Sequence, residues 1–541
     1  MPLDHPVLPK QAALALALLA LGCEPRGPLF GTGRPRHATD VFVVGNGAEP
    51  ETIDPTLVFD SDGIELCRNL FEGLVGYDSA TLAPVPGVAS SWEISDGGRR
   101  YLFHLRPEAR WSDGVPVRAA DFVYGWRRLL DPKTGADYAN YLWFLENGKE
   151  LNTGQNQDWD KLGVRALDDR TLEVRLRYPV AFFLQIAQFP SLSPLREDIV
   201  RRWGDRWTLP GHLVSNGPFE LQDWRFRYQL TLRKNPYYWG KGRVKLDRVE
   251  VVTENDDHAM VRLYRGGEVD DTGPNNEIPQ EYLAFLRDKP DLRHEAYLGT
   301  YFLWFNTRHK PFEDARVRRA FDLALDKRAI CDYVLRGGQA PADHLVPDMD
   351  GPPADYHGPH GEGHDPALAR RLLAEAGFPG GRGFPPVTYV YNTLEEHRQI
   401  AEALQAMWQK ELGIQVTLEN QEWKIAIEST RLGHFDIARF GWIADYVEPY
   451  TFLSLLLSNS ETNKTGWGDP AYDALVEAAL REPTLAARNR RYAEAEALLD
   501  RELPLLPLYF YTRQFLAEPY VRGLSPNLLD IHPWRDVSIA P

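Results

Sequence analysis

Cysteine is scarce: 541 residues hold three, Cys23, Cys67 and Cys331. A fold stapled by a disulfide framework is thereby excluded. Cys67 and Cys331 lie in apolar helical contexts that suit buried free thiols, although an exported chain could still pair them. Positive charge is also in deficit. Lys and Arg number 61 against 77 Asp and Glu, a net charge of −16, and no basic patch stands out. Nucleic acid is therefore not an expected partner. After residue 22 no stretch approaches the roughly 18 uncharged apolar residues of a bilayer-spanning helix. The P-loop pattern, the Gly-rich dinucleotide turn, GxSxG and HExxH are all missing. Paired carboxylates for glycoside cleavage cannot be singled out in so acidic a chain. No internal repeat is present.

What the chain does have is aromatic mass: 15 Trp, 24 Tyr and 24 Phe. That is enough for a large core and for aromatic walls around a ligand. At the start, Gln11–Gly22 is an apolar run too short to span a bilayer permanently and of the length of a signal-peptide core. Leu21-Gly22-Cys23 resembles a bacterial lipobox, which would make Cys23 the acylated first residue of the mature chain. A buried N-terminal helix is the alternative. Residues 24–40, rich in Gly, Pro and Arg, read as a tether.

Hydrophobic periodicity then predicts a mixed α/β body of two or three domains. Strands are expected at Val41–Val44, in a hairpin over 88–106, and at 172–176, 219–221, 229–232 and 248–252. Helices are expected at Asp60–Leu74, Ala119–Leu130, Ala181–Ala187 and Ala259–Gly267. Farther on, Gly299–Asn306 is an aromatic strand, followed by helices at 315–325 and 327–335. The succession strand 387–391, helix 400–412, strand 414–419 predicts a parallel α/β unit. Helices follow at 472–480 and 485–499. Leu505–Tyr511 is a strand whose Pro507 suggests an edge or a strand start. The loop 337–366 carries His344, His357, His360 and His364. Three imidazoles can ligate zinc or nickel, but a Gly/Pro-rich loop does not by itself preorganise them, and the expectation is a solvated loop with no metal and no cofactor.

One stretch holds an acid in an aromatic setting: Phe440-Gly441-Trp442-Ile443-Ala444-Asp445-Tyr446-Val447-Glu448-Pro449. No Lys or Arg lies within five residues of Asp445. A carboxylate among such neighbours is costly to desolvate unless a cation meets it. Either Asp445 caps a turn before Pro449, or it awaits the ammonium of a ligand.

Several blocks occur in order along almost the whole chain. They include Leu70-Phe71-Glu72-Gly73-Leu74, Trp111-Ser112-Asp113-Gly114, Asp121-Phe122-Val123-Tyr124-Gly125-Trp126, Asn235-Pro236-Tyr237-Tyr238-Trp239, Phe305-Asn306-Thr307, Asn420-Gln421-Glu422-Trp423-Lys424 and Trp442–Pro449. In these the chain resembles the periplasmic oligopeptide-binding proteins of ATP-driven peptide importers, solute-binding protein family 5. The resemblance implies a type II periplasmic-binding-protein-like clamp of two lobes and three domains, with mixed sheets flanked by helices. Segment 1–22 would be a lipoprotein signal and 23–39 a tether. Domain I would comprise 40–70, 192–296 and 502–541, domain II the insertion 71–191, and domain III 297–501.

It further implies capture without covalent chemistry. Short peptides would bind between the lobes and be delivered to an ABC permease by a periplasmic monomer, anchored to a membrane only through lipid on Cys23. Asp445 matches the carboxylate that meets the peptide ammonium. Arg439 and His397 match groups that reach the peptide carboxylate. Trp423 and Trp442 match pocket walls, and Phe440, Gly441 and Ile443 match backbone that pairs with the ligand. Tyr138, Tyr141 and Tyr511 are further cleft aromatics. Three residues keep structural alternatives: Trp423 as core, His397 as part of a solvated charge run, Arg439 as an ion-pair partner. The chain also departs from the family pattern. Phe59 stands where some relatives carry a second acid, and Gly299 and Ile443 stand where some carry a disulfide. A clamp tuned to another solute (murein peptide, dipeptide, haem or a metal chelate) and a peptide receptor or chaperone unconnected with import are the alternatives.

Overall fold

The computed structural model describes residues 29–351 and 353–541; the signal-like run and Cys23 lie outside them. The segment read as a tether is already docked from Phe30. The Phe30 and Gly31 amides donate to the Asp291 carboxylate at 2.8–3.2 Å. Thr32 and Gly33 donate to Glu518, and the His37 imidazole pairs with Asp270 at 2.8 Å. Glycine and threonine amides without competing secondary structure serve here as donors to buried acids, which composition alone does not reveal.

Strand β1 (Val41–Gly45) is fully buried. Helix α1 (Ser61–Leu70) is capped by Asp60, whose carboxylate accepts from the Gly63 amide. It is shorter than predicted because Phe71 turns extended, with φ −123° and ψ 153°. An antiparallel sheet follows, built from β2 (Ala89–Ser95), β3 (Arg100–Leu105), β4 (Val164–Asp168) and β5 (Thr171–Arg175) in the order β2-β3-β5-β4. Helix α2 (Ala119–Leu130) has the predicted bounds and buries Phe122, Trp126, Leu129 and Leu130, the stripe its 3.6-residue spacing required. The chain then returns to β1 through β6 (Phe219–Arg225), β7 (Gln229–Lys234) and β8 (Arg248–Val252), in the order β1-β8-β7-β6 with β1 parallel to β8. Helix α3 (Asp257–Gly266) comes next.

The second half is organised on a six-stranded mixed sheet. Its strands are β9 (Leu292–Phe305), β10 (Ala340–Pro341), β11 (Val387–Asn392), β12 (Val416–Gln421), β13 (Ile437–Ile443) and β14 (Leu505–Leu516), in the order β10-β14-β9-β13-β11-β12. Helices α4 (Ala315–Leu323), α5 (Pro366–Glu375), α6 (Glu395–Leu412), α7 (Trp423–Leu432), α8 (Pro470–Ala479) and α9 (Leu485–Glu502) flank it. Strands β11 and β12 run parallel across α6, as their succession predicted. Residues alternate along β9. Tyr301, Leu303 and Phe305 pack on the side of Phe321, Leu404 and Trp408. Phe302 and Trp304 pack on the side of Phe452, Tyr472 and Tyr492. A strand covered on both faces reads as an unbroken apolar run, as Tyr301–Phe305 does at the end of β9. Pro507 is the third residue of β14, near the strand start as expected, and precedes the Tyr509–Phe510 stretch that β10 covers. It sits where the β9–β14 register slips, between the Tyr301–Tyr509 and Phe302–Pro507 pairs; a bulge absorbs its missing donor. Cys67 and Cys331 are buried free thiols in separate cores.

Candidate functional site

Asp445 lies just past the end of β13. It caps no helix: the Tyr450–Leu453 turn begins at Pro449 with no side-chain cap bond. The residue keeps some accessible surface, yet sits deep enough among protein atoms that desolvation pushes its pKa up to about 6. The Tyr141 hydroxyl and the Arg68 guanidinium oppose that rise. Among the described residues no cation stands within ion-pair distance of it. Its surroundings are under-satisfied as well: the buried Tyr141 hydroxyl and Arg68 Nε have no hydrogen-bond partner of good geometry.

This pocket forms where the β13 end meets the part of the chain that holds β2–β5. Tyr446 stacks on Phe182 at 5.2 Å and meets Tyr141 edge-on at 6.2 Å. Tyr450 packs against Phe182 and Phe144. Tyr138 joins the group through Tyr141 at 5.1 Å and Phe189 at 4.5 Å. Glu448, three residues after Asp445, is the contrasting acid. It is buried but paired with Arg488 at 2.7 Å, as a buried carboxylate should be.

Arg439 is on β13, six residues before Asp445. Its guanidinium donates to the Tyr511 hydroxyl at 3.2 Å and to Asn392 Oδ1 at 3.3 Å, and lies 4.8 Å from the centre of the Tyr301 ring. Its Nε is buried without a partner, and no carboxylate among the described residues is within ion-pair reach. The structural ion pair considered for Arg439 is therefore not formed. His397, on the first turn of α6, is 4% exposed and packs edge-on to Tyr301 at 5.6 Å. The charge run around it is solvated only at Glu395 and Arg398, which pair with each other. Burial, reinforced by the Arg439 charge, pushes the His397 pKa down to about 3. It is a neutral donor-acceptor rather than a cation, and its buried Nδ1 is unpartnered.

The remaining predicted residues sort by register. Gly441 pairs with Tyr301, and a Cβ there would meet the Tyr511 hydroxyl at 2.5 Å. Phe440 packs on Phe302 and Trp304, so its ring serves the core. Trp442 donates its indole N–H to the Thr451 hydroxyl at 3.0 Å. Ile443 is 42% exposed and lies directly opposite Gly299. Trp423 is not core. It stands 48% exposed at the start of α7, beside the exposed Ile425 and Ile427. Sequence reasoning missed Arg68, Tyr301, Tyr509 and Glu396. Arg68 follows Glu65 by three positions, which reads as an ordinary surface pair, and only the fold shows that it is largely covered. Glu396 accepts from Tyr509 at 3.2 Å, and burial raises its pKa.

Two chemistries result: an uncompensated carboxylate just past the end of β13 and, six residues earlier on that strand, an uncompensated guanidinium with a neutral imidazole near it. Comparison with known proteins gives a concordant picture. Residues 83–464 match the family model described as bacterial extracellular solute-binding proteins, family 5. The chain is 38% identical over 495 residues to the periplasmic oligopeptide-binding protein OppA of Salmonella typhimurium, covering 90% of this chain and 89% of that one. It is 36% identical to the periplasmic murein peptide-binding protein MppA of Escherichia coli, with 88% and 89% covered. Among solved structures, Haemophilus influenzae OppA in complex with RPPGFSPFR superposes with a TM-score of 0.77 at 33% identity, covering 93% of this chain and 100% of that one.

Proposed function

This chain belongs to the bacterial extracellular solute-binding proteins of family 5, binding proteins rather than enzymes, and from that premise we propose that it captures short peptides between two lobes and hands them to an ABC permease. The peptide ammonium sits on Asp445, and the peptide carboxylate is met by Arg439 with help from the neutral His397. Backbone groups of Gly441 and Ile443 pair with the extended ligand in the manner of strand addition. Trp423 and Trp442 wall the side-chain pockets, and Tyr138 and Tyr511 complete the aromatic lining. In this reading domain I is 40–70, 192–296 and 502–541, domain II is 71–191 and domain III is 297–501. The protein works as a monomer in the cell envelope, held to a membrane through lipid on Cys23.

The observation that carries the reading is the pair of opposite, desolvated, unpaired charges at Arg439 and Asp445, on and just past β13. Leaving each without a counter-ion is costly, and a zwitterionic extended ligand satisfies both. Calorimetry with tripeptides and tetrapeptides tests it. Asp445→Ala should weaken binding by about 2–5 kcal/mol, the usual cost of stranding one member of a buried charged pair, or roughly 30- to 4,000-fold. N-acetylated peptides should lose a similar amount against the wild type and little more against the variant. An unchanged dissociation constant for Asp445→Ala would remove the residue from this role.

A further inference from the structure

The loop between β10 and α5 was set aside from sequence because Gly and Pro do not hold ligands in place. In the fold it is held. The Leu345 and Val346 amides donate to the buried Glu496 carboxylate at 3.0 and 2.7 Å. Glycines 358 and 361 let the far limb of the loop lie against this frame. A Cβ on Gly358 would fall 2.5 Å from Glu496 Oε2 and 3.1 Å from the His344 ring, and one on Gly361 would fall 2.4 Å from the Asp343 carbonyl oxygen.

This close passage joins three donors from the two limbs. The Asp343 carboxylate contacts His344 Nδ1 at 2.5 Å and His360 Nδ1 at 3.2 Å. The donor atoms of Asp343, His344 and His360 all lie within 4.8 Å of one another. Donors bound at about 2.0–2.2 Å to one tetrahedral ion are separated by about 3.3 Å, so the cluster needs little rearrangement. The His344 side chain is 2% exposed and its Nε2 is buried without a hydrogen-bond partner, 3.6 Å from Asp348 Oδ1. The His344 ring is fixed by edge-on packing against Phe510 at 5.1 Å. His360 is 67% exposed, which leaves a side of the cluster open to water as a fourth ligand.

We propose that Asp343, His344 and His360 form a binding site for a divalent transition metal of the zinc or nickel class, which staples the two limbs of the loop at the β10 edge. Two imidazoles and one carboxylate suit those ions and not magnesium or calcium, which take oxygen donors. The probe is zinc chloride titrated calorimetrically into the untagged, chelator-stripped full chain, with magnesium chloride in parallel. One equivalent of zinc should bind and raise Tm, and magnesium should not. His360→Ala, at an exposed position, should fold normally, lose at least ~10-fold in zinc affinity and lose the Tm shift. His364→Ala, in the same loop but outside the cluster, should keep both. The proposal is overturned if the wild type binds no stoichiometric zinc, if magnesium binds equally, or if His360→Ala binds zinc as the wild type does.

Discussion

At the scale of single residues, what distinguishes the site is missing compensation. Glu448 and Asp445 are neighbours in sequence and both are desolvated, but only Glu448 has its arginine. The raised pKa of Asp445, about 6, gives peptide binding a definite pH dependence. In the free protein the carboxyl takes up a proton as pH falls through about 6. A bound ammonium favours the ionised form and lowers that pKa, so binding below about 6 must expel a proton. Affinity should be flat near pH 7 and fall by up to about tenfold per pH unit below 6. The peptide α-amino group, with a pKa near 7.7–8.0, sets the alkaline limit. His397 does not titrate in this window, because its pKa lies at about 3. Calorimetry at pH 7, 6 and 5 reads the slope, and Asp445→Asn should flatten it. A wild-type affinity constant from pH 7 to 5 would contradict ionic recognition by Asp445. On β13 itself, Arg439→Gln should weaken peptides with a free carboxylate by about 1.5–3 kcal/mol, the range for a hydrogen bond to a charged group, and leave C-terminal amides nearly unaffected.

Among the elements, β9 and β13 fix the site, and their register makes a structural prediction. Gly299 and Ile443 face each other. A Cβ on Gly299 would lie 3.0 Å from Ile443 Cγ1, but also 2.9 Å from the Trp442 carbonyl oxygen and from Tyr511. The double variant Gly299→Cys, Ile443→Cys should form a disulfide in air, detected by loss of free thiol titre. The long loop it closes is worth up to about 4–5 kcal/mol in the chain-entropy model; crowding by Tyr511 and Trp442 should reduce the gain, so a Tm rise smaller than that figure implies is expected. Elements that bury one regular stripe, such as α2, were legible in the sequence to the residue. Helix α7 was not, because its apolar residues face outward. Trp423, Ile425 and Ile427 recur every second position, which mimics a strand, and they are 42–58% exposed, while Ala426 and Thr430 are the buried ones. Only its ends carried a helix signal: Glu422 accepting from the Lys424 amide, and Gly433 at φ 74°. The site shows the same division. Asp445 could be picked out because a lone charge is conspicuous in an apolar run, whereas Arg439 and His397 were reached only through the family resemblance. Arg68 and Glu396 could not, because nothing local distinguishes a buried ion from a solvated one.

For the molecule as a whole, buried acids make stability depend on pH in a direction opposite to ordinary acid denaturation. Burial pushes Asp62, Asp271 and Glu496 up to about 7, whereas in an unfolded chain they ionise near 4. Between those values the folded protein holds protons that the unfolded chain has released. Their contribution is therefore fully present below about pH 4 and is lost as pH rises through about 7. The raised pKa values of His37 and His532 act in the same sense, since each is charged beside a carboxylate in the folded state. His397 opposes them: it stays neutral when folded, so its contribution is present above about 6.5 and fades as pH falls below that value. Carboxylates held low by partners, such as Glu173 beside Arg175, have finished titrating below this range. The net charge of −16 at pH 7 adds self-repulsion as the remaining acids ionise. Three acids and two histidines against one histidine decide the sign, and Tm should be lower at pH 8 than at pH 5.5 in scanning calorimetry. Asp62, which has no cationic partner among the described residues and is raised first by desolvation and then by Asp60, is the group to remove. Asp62→Asn should stabilise the protein at pH 8 relative to the wild type and make less difference at pH 5.5. Equal wild-type Tm values at the two pH values would show that these acids are already ionised at pH 5.5, and that the interior solvates them better than its packing implies.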